Sequence, residues 1–289
     1  MTSAKYEDQV IHRKMLRDRL RCETYRRAIT EAVRPGDVVL DVGAGTGILS
    51  IFAAQAGARK VYAVERTAIV EVARQIIQAN GFADPIEIRQ ADMETVELPE
   101  QVDVIVSEWM GSYGVDENLL PPLLIARDRW LKPGGKMLPR QVTSWIVPVW
   151  DRFIAKDLKF WRSHPYGVDL AIMGQGKVEE PLRYPDPLPK RDLLAVPLPL
   201  WTVDVQKHTI EEARLPLHAS LAFQVARTSR LSALCAWFEA AFEGDIVLCS
   251  APDRKATHWG IIILPLSRTF AYRRVSDRCR VHLCAETTG

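Results

Sequence analysis

The segment that most restricts the fold is a strand, a glycine-rich turn and a helix that follow one another over residues 38–56. Val38–Val42 is an apolar run typical of a buried strand, and three of the next five residues are glycine. Residues 48–56 then predict a helix that stops at Gly57. The alternation continues with a strand at 60–65, a helix at 67–80, and strands at 86–88 and 102–106. Strands that alternate with helices predict an α/β fold with a parallel, doubly wound sheet.

The chain changes character on either side of this region. Residues 8–33 have the apolar spacing of one helix, which ends before Pro35-Gly36. After Pro133-Gly134-Gly135 and Pro139, short alternating segments predict a β-rich part. Its expected elements are strands at 145–149, 220–225, 233–238, 246–249 and 278–283, a helix at 151–163, and an irregular stretch with six prolines at 181–199. We therefore expect a helical cap at 1–35, an α/β domain at 36–139 and a β-rich, barrel-like domain at 140–289.

Charge and composition exclude several classes of function. The net charge is +2, and residues 1–35 hold nine Lys or Arg against five Asp or Glu, so the remainder balances to −2. This asymmetry is too small to predict nucleic-acid binding. No apolar run approaches the roughly 18 residues of a membrane span. The N-terminus lacks an apolar signal region, and the five cysteines show no CxxC spacing, so we expect reduced thiols in a cytoplasmic protein, or a nuclear one in a eukaryote.

The glycine turn and the strand ends around it predict a cofactor site. Glycines let the backbone turn tightly and let a ligand approach main-chain N–H groups at a helix N-terminus. Glu65 ends the next strand, where a carboxylate accepts hydrogen bonds from a ribose diol. Asp41 alone would read as a strand-end residue. Together these features predict an adenosine-containing cofactor, held by Asp41, Gly43, Gly45, Gly47 and Glu65.

The glycine spacing distinguishes between two such cofactors. A nicotinamide site is expected to show G-x-G-x-x-G, whereas here the third glycine comes one residue early. The D-x-G-x-G-x-G pattern from Asp41 resembles the loop of S-adenosylmethionine (SAM) methyltransferases. That resemblance implies SAM as cofactor, S-adenosylhomocysteine as product, and an adenine contact for Glu94, which otherwise reads as a surface acid. No metal is expected.

Two glutamates lie nine residues apart in the stretch SEWMGSYGVDENLLPP, which follows the strand at 102–106. Solvated acids are the ordinary explanation for such a pair. Against it, Glu108 follows a largely apolar strand at the sheet edge where open α/β sheets bind ligands, and the loop is rich in aromatic residues, Met and Gly. A divalent metal is a further explanation for Glu108 and Glu117, but the stretch contains no histidine. The cation that best suits two carboxylates is a guanidinium, which is planar and always charged. Paired carboxylates also draw its positive charge away from the nitrogen that reacts.

These motifs together resemble the protein arginine N-methyltransferase family. The S-E-W-M-G segment with a second Glu nine residues on, the segment VLDVGAGTGILSIFAAQAGARKVYAVE, and Thr257-His258-Trp259 all match, and the resemblance runs from about Tyr6 to Trp259. It implies a Rossmann-like SAM-binding domain, a β-barrel-like substrate domain and a helical dimerisation arm at about 151–176, hence a head-to-tail homodimer.

The resemblance also implies roles for individual residues. Arg21 would bind the cofactor carboxylate, and Asp18 would pair with His258 as a proton route and a clasp between domains. On sequence alone, Met15 is a core-packing residue, Arg21 is one of many basic residues on its helix, and His258 is a lone histidine. Glu108, Glu117, His258 and Asp18 would be catalytic, and the substrate contacts would be Tyr6, Met15, Trp109, Met110 and Trp259.

Several departures from the family leave the substrate open. The aromatic N-terminal motif is reduced to Tyr6, Leu119 stands where many members have methionine, and 30 residues after Trp259 predict a shortened barrel. Met15 favours asymmetric dimethylation, whereas Leu119 argues against it. The chain lacks the acidic surface expected for arginine-rich tails, so arginine in a protein or peptide is the first expectation and free L-arginine the second. Rival classes are a nicotinamide-dependent oxidoreductase and an inactive cofactor-binding scaffold; the first leaves both glutamates without a role, and the second predicts a lost glutamate or glycine.

Overall fold

The computed structural model describes residues 8–174, 181–226, 228–272 and 278–285, so the predicted contact of Tyr6 lies outside the described residues. The helices are α1 (Gln9–Arg17), α2 (Arg19–Ala32), α3 (Ile48–Gln55), α4 (Val70–Ala79), α5 (Leu120–Trp130), α6 (Arg152–Trp161) and α7 (Ile210–Arg214). The strands are β1 (Val38–Val42), β2 (Lys60–Glu65), β3 (Ile86–Gln90), β4 (Val102–Ser107), β5 (Leu131–Leu138), β6 (Gln141–Val149), β7 (Leu182–Tyr184), β8 (Leu198–Asp204), β9 (Leu217–Gln224), β10 (Ser229–Ala241), β11 (Val247–Cys249), β12 (Ile261–Tyr272) and β13 (Arg278–Ala285).

The first sheet has five parallel strands in the order β3-β2-β1-β4-β5, which confirms the predicted α/β class. In its middle strand, Val39 faces Val61 of β2 on one side and Val104 of β4 on the other. Every residue of β1 is buried, as expected for a parallel strand between two layers of helices. The strand order reverses between β1 and β4, so a crevice opens beyond the carboxyl ends of these two strands.

The N-terminal segment forms two helices, so the prediction of a single helix over 8–33 is wrong at one residue. Asp18 ends α1 and has non-helical backbone angles, φ −72° and ψ 89°. Its carboxylate accepts a hydrogen bond from the Arg21 N–H at 3.0 Å and so caps α2. A short acidic side chain stabilises a helix N-terminus in this way, and no glycine or proline is needed to make the break.

The second sheet is antiparallel and β-rich, in the order β7-β12-β10-β6-β8, with β11 paired to β10. A separate ribbon, β9–β13, contributes the buried Phe223 and Cys279 to the same hydrophobic core as the β6 residues Ile146 and Val147. The core is therefore enclosed by two sets of strands in a barrel-like arrangement. Within the described residues, the hydrogen-bonded path from β7 to β8 does not close on itself.

Most of the predicted β segments are present, but several observed strands were not predicted. β12 is 12 residues long and contains Pro265, and no sequence pattern predicted it. β5 runs through Pro133-Gly134-Gly135, a segment that the sequence analysis took as a boundary between two parts of the chain. The six-proline stretch holds the short β7, a 3-10 turn at Lys190–Asp192 and the first residues of β8, because proline is confined to strand ends and edges.

A shared apolar core fixes the β-rich part against the parallel sheet. Tyr25 of α2 packs edge-on against Phe242, with ring centroids 5.0 Å apart, and Phe238 of β10 packs edge-on against Trp259 at 4.9 Å. All four rings are buried. The two parts therefore present their facing loops to one another in a defined arrangement.

Two features of the described chain bear on its environment. None of its helices combines the length and the apolar character needed to cross a membrane. Cys22, Cys235, Cys249 and Cys279 are free thiols. The side chain of Cys284 is outside the described set.

Candidate active site

A cavity of about 360 Å³ lies at the carboxyl edge of the parallel sheet, beneath α1 and α2. Its walls come from the loops after β1, β2, β3 and β4 and from the loop at 257–259. Twelve of the residues predicted from sequence line it: Met15, Arg21, Gly43, Gly45, Glu65, Glu94, Glu108, Trp109, Met110, Glu117, His258 and Trp259. Asp41 and Gly47 do not line it, and Asp18 lies just outside, bound to His258.

The glycine loop forms one wall of the cavity and needs its glycines for different reasons. Gly43, Gly45 and Gly47 all have positive φ, a conformation that other residues rarely adopt. A Cβ on Gly43 would meet no atom within 4 Å, so the backbone there is open to a ligand. A Cβ on Gly47 would lie 3.2 Å from Ile77, which shows that this glycine serves the packing of α3 against α4.

Glu65 fixes the glycine loop while facing the cavity. Its Oε2 accepts a hydrogen bond from the Gly45 N–H at 3.0 Å, and its Oε1 accepts from the Thr67 N–H and hydroxyl at 2.8 and 2.7 Å. The carboxylate is thus held in one orientation with acceptor capacity left toward the cavity. Glu94, after β3, also lines the cavity and is exposed.

Asp41 supports the loop from behind. It is fully buried in β1, its Oδ2 accepts a hydrogen bond of 2.6 Å from Ser50, and its Oδ1 has no partner in the described chain. Burial raises the pKa of Asp41 to about 7. Its relation to a bound cofactor is therefore indirect, through the position of the loop.

Glu108 is the first residue after β4, and its carboxylate holds a guanidinium. Arg21 donates from Nε and Nη2 to Glu108 Oε2 at 3.2 and 2.9 Å, and both side chains are less than a tenth exposed. Burial works against the charge of Arg21, but the attraction of Glu108 outweighs it, so the pKa of Arg21 is raised. Glu108 Oε1 accepts no hydrogen bond from any residue the structure describes. One oxygen thus holds Arg21, and the other is available to a ligand.

The loop between the two glutamates is organised by Asp116, which sequence reasoning missed. The half-buried Asp116 carboxylate accepts hydrogen bonds from the Ser112 and Tyr113 N–H groups at 3.0 and 3.1 Å. It fills the space beside Gly111, where a Cβ would lie 2.2 Å from Asp116 Oδ1. The tight loop brings Glu117 back to the cavity that Glu108 lines. In the sequence, the only indication of this role was that Asp116 follows two glycines and directly precedes Glu117.

His258 and Asp18 join the β-rich part to the N-terminal helices. Asp18 Oδ2 accepts a 2.7 Å hydrogen bond from the His258 N–H and lies 3.0 Å from His258 Nδ1. Burial alone would raise the pKa of Asp18, but the hydrogen bonds from His258 lower it below its ordinary value. Trp259 Nε1 donates to the Met110 carbonyl at 2.9 Å, and Arg183 donates to the carbonyls of His258 and Trp259.

His12 is a second residue that sequence reasoning missed. It is buried on α1 and lines the cavity. A Cβ on Gly45 would lie 3.1 Å from its ring, so the imidazole covers the glycine loop. Its place three residues before Met15, on the same helix face, was the only signal. Among the described residues, no cluster of three or more His, Cys, Asp or Glu is arranged to hold a metal ion.

Comparisons with known proteins agree with this geometry. The profile of the "Arginine methyltransferase oligomerization subdomain" matches residues 141–282, and that of the "Methyltransferase domain" matches residues 39–135. The chain is 39% identical over 271 residues to protein arginine N-methyltransferase 6 of Danio rerio, covering 90% of this chain and 77% of that protein. It is 37% identical over 281 residues to the Xenopus laevis protein of the same name, covering 94% and 82%.

Solved structures show the same fold. The PRMT1 enzyme–prozyme heterotetrameric complex with AdoHcy from Trypanosoma brucei aligns with a TM-score of 0.85 and 32% identity, covering 94% of this chain and 86% of that one. The crystal structure of protein arginine methyltransferase 10 of Arabidopsis thaliana aligns with a TM-score of 0.81 and 29% identity, covering 93% and 86%. With its two profiles, its relatives and its fold in agreement, the chain belongs to the protein arginine N-methyltransferase family.

Proposed function

We propose that this protein transfers a methyl group from SAM to a terminal guanidino nitrogen of arginine in a protein or peptide. The observation that carries the proposal is the Glu108 carboxylate, which binds one guanidinium through Oε2 and keeps Oε1 for another. Glu117 lines the same cavity, so a second carboxylate faces the space that the substrate would occupy. Relatives named protein arginine N-methyltransferases support the choice of arginine as substrate.

The residues around the glycine loop fit SAM. A cavity of about 360 Å³ is within the range of small-molecule and cofactor sites. The open backbone at Gly43 and the oriented carboxylate of Glu65 suit a nucleoside, with Glu94 also lining the cavity. SAM, when bound, supplies an electrophilic methyl group on a sulfonium. Arg21 also lines the cavity and offers a cation to the cofactor's amino-acid carboxylate.

The chain's own residues position and polarise the substrate. Glu108 and Glu117 hold the guanidinium plane by charge-assisted hydrogen bonds and draw its positive charge toward the nitrogens they bind. Met15, Trp109 and Met110 form the apolar surround that excludes water and limits the space around the reacting nitrogen. Because free deprotonation of a guanidinium is out of reach near neutral pH, the proton leaves during or after transfer. The His258–Asp18 pair at the cavity wall offers its route out.

The arm at 151–174 supports assembly of a homodimer. The described arm exposes several large apolar side chains: Phe153, Phe160, Tyr166, Val168, Ile172 and Met173. So many exposed apolar side chains on one segment favour an interface. Changing Phe153 and Ile172 together to serine should convert the dimer to monomer in light scattering. Val196→Ser, at an exposed valine elsewhere, is the matched control and should leave the mass unchanged.

The activity is tested by incubating the protein with labelled SAM, an arginine-glycine peptide and free L-arginine in one reaction. Products are read by mass spectrometry. Methyl on the peptide, lost in Glu108→Gln, is the expected result, and the mass increment gives the methylation state. Methyl on free arginine alone would replace the protein substrate by a small molecule, and no methyl on either would overturn the proposal.

A further inference from the structure

A second concave site, here called the basic groove, adjoins the active-site cavity. It has a volume of about 290 Å³ and lies between the α1–α2 junction and the loop at 255–258. Four cationic residues line it: Lys14, Arg17, Arg19 and Lys255. Lys14 and His258 line both the basic groove and the cavity, so the two sites lie side by side.

The groove carries uncompensated positive charge. Arg17, Arg19 and Lys255 are exposed and form no ion pair with any described residue. The acid that lines the groove, Asp18, already accepts from the His258 N–H and caps α2, and its carboxylate also lies beside the His258 ring. Three of the nine basic residues in the first 35 positions, Lys14, Arg17 and Arg19, thus lie beside the proposed active site.

This charge decides which substrate sequences can approach. A peptide whose target arginine is flanked by further arginines brings like charges to the groove, which costs free energy and slows association. A peptide with acidic flanking residues places carboxylates against three guanidinium or ammonium groups. The arm of a second copy is a poor occupant, since residues 151–174 carry four Lys or Arg against three Asp or Glu.

We propose that the basic groove binds acidic residues next to the target arginine, so that the preferred substrate is a peptide in which Asp or Glu flanks the methylated position. The proposal rests on the arginine methylation proposed above and narrows its substrate class. Individually, exposed ion pairs are weak, so the combined effect of three cations is expected to be about three- to tenfold in kcat/KM. The preference should shrink as salt is added, because the groove is open to solvent.

The test compares two peptides with one central arginine, identical except that the flanking positions are Glu in one and Gln in the other. Wild-type protein should methylate the Glu peptide with about three- to tenfold higher kcat/KM at low salt. The combined variant Arg17→Gln, Arg19→Gln, Lys255→Gln should lose this preference and keep its rate on the Gln peptide. Thermal shift with SAM shows that the variant folds and binds its cofactor.

A matched variant separates local from global charge. Arg27→Gln, Arg34→Gln, Arg191→Gln removes the same net charge from exposed positions outside the groove and should keep the preference. The groove proposal would be overturned if the wild type methylated both peptides at equal rates, or if both triple variants lost the preference for the Glu peptide to the same extent. Either result would leave arginine methylation intact. No methylation of either peptide would instead overturn the proposed function.

Discussion

Asp41 makes the stability of the cofactor-free protein depend on pH in a direction that can be worked out from the structure. Its pKa is about 7 because it is fully buried, against an ordinary value of 3.8. Below pH 3.8 the residue is protonated in both folded and unfolded states and has no effect. As pH rises toward 7, the unfolded state loses the proton while the folded state keeps it, so the folded state becomes less stable. Above pH 7 the residue is ionised in both states, and the folded state loses no further stability from Asp41.

The perturbation is Asp41→Asn, which removes the titration and keeps the size of the side chain. Between pH 5 and pH 7 the two pH units are worth about 2.7 kcal/mol at 1.36 kcal/mol per unit. The variant should therefore gain about 2–3 kcal/mol of unfolding free energy, relative to wild type, on going from pH 5 to pH 8. Asparagine also brings a buried NH₂ group, which costs about 1–3 kcal/mol. That cost does not depend on pH, so it cancels in the comparison.

The assay is urea unfolding of cofactor-free protein, followed by tryptophan fluorescence at both pH values and at one protein concentration, since assembly affects stability. Asp84→Asn is the control, because Asp84 is exposed and makes no side-chain hydrogen bond in the described structure. It should show the same difference from wild type at both pH values. If Asp41→Asn behaves like Asp84→Asn, Asp41 is ionised in the folded protein and the burial argument fails.

Three further predictions concern the proposed active site. Glu108→Gln should fold and bind SAM, with thermal shift as the check, yet lose at least about a hundredfold in methyl transfer because the neutral amide no longer polarises a guanidinium; retention of most activity would refute the clamp. His258→Ala should lose less methyl-transfer activity than Glu108→Gln, because it removes a hydrogen bond to Asp18 rather than a charge that binds the substrate. An equal loss of activity would identify His258 as an essential base. Asp116→Asn should raise KM for the arginine peptide about tenfold, with a smaller change in kcat. The carboxylate accepts hydrogen bonds from two backbone N–H groups, whereas the amide has one acceptor oxygen, so one bond is lost at a cost of about 1–3 kcal/mol. An unchanged KM would mean that the loop holds its shape without this carboxylate.

The sequence predicts the parallel sheet well because its signals are local. Apolar runs at β1, β2 and β4 are continuous, as expected for strands buried on both faces, and the glycine loop follows β1 directly. The contact between Glu108 and the N-terminal helices could not be predicted from local sequence. Arg21 and Glu108 are 87 residues apart, and only the folded chain shows that one guanidinium already lies on that carboxylate.

The features that the sequence missed depend on long-range contacts. β12 contains a proline and draws its stability from pairing with β10 and β7, which no local pattern reports. Asp116 reads as a loop acid until its carboxylate is seen under two backbone N–H groups. The basic groove likewise requires Arg17 and Lys255 to meet across two distant segments. In each case the residue type was visible, whereas its neighbours were not.

The charge of the substrate has a consequence for the product of the proposed clamp. Glu108 and Glu117 both line the cavity, and Glu108 already holds the Arg21 guanidinium through one oxygen. A methylated guanidinium is still a cation, so electrostatics does not distinguish an unmethylated arginine from a monomethylated one. Space must therefore decide how many methyl groups are added. Met15 and Leu119 both line the cavity, so we expect their side-chain volumes, rather than any charged group, to set that limit.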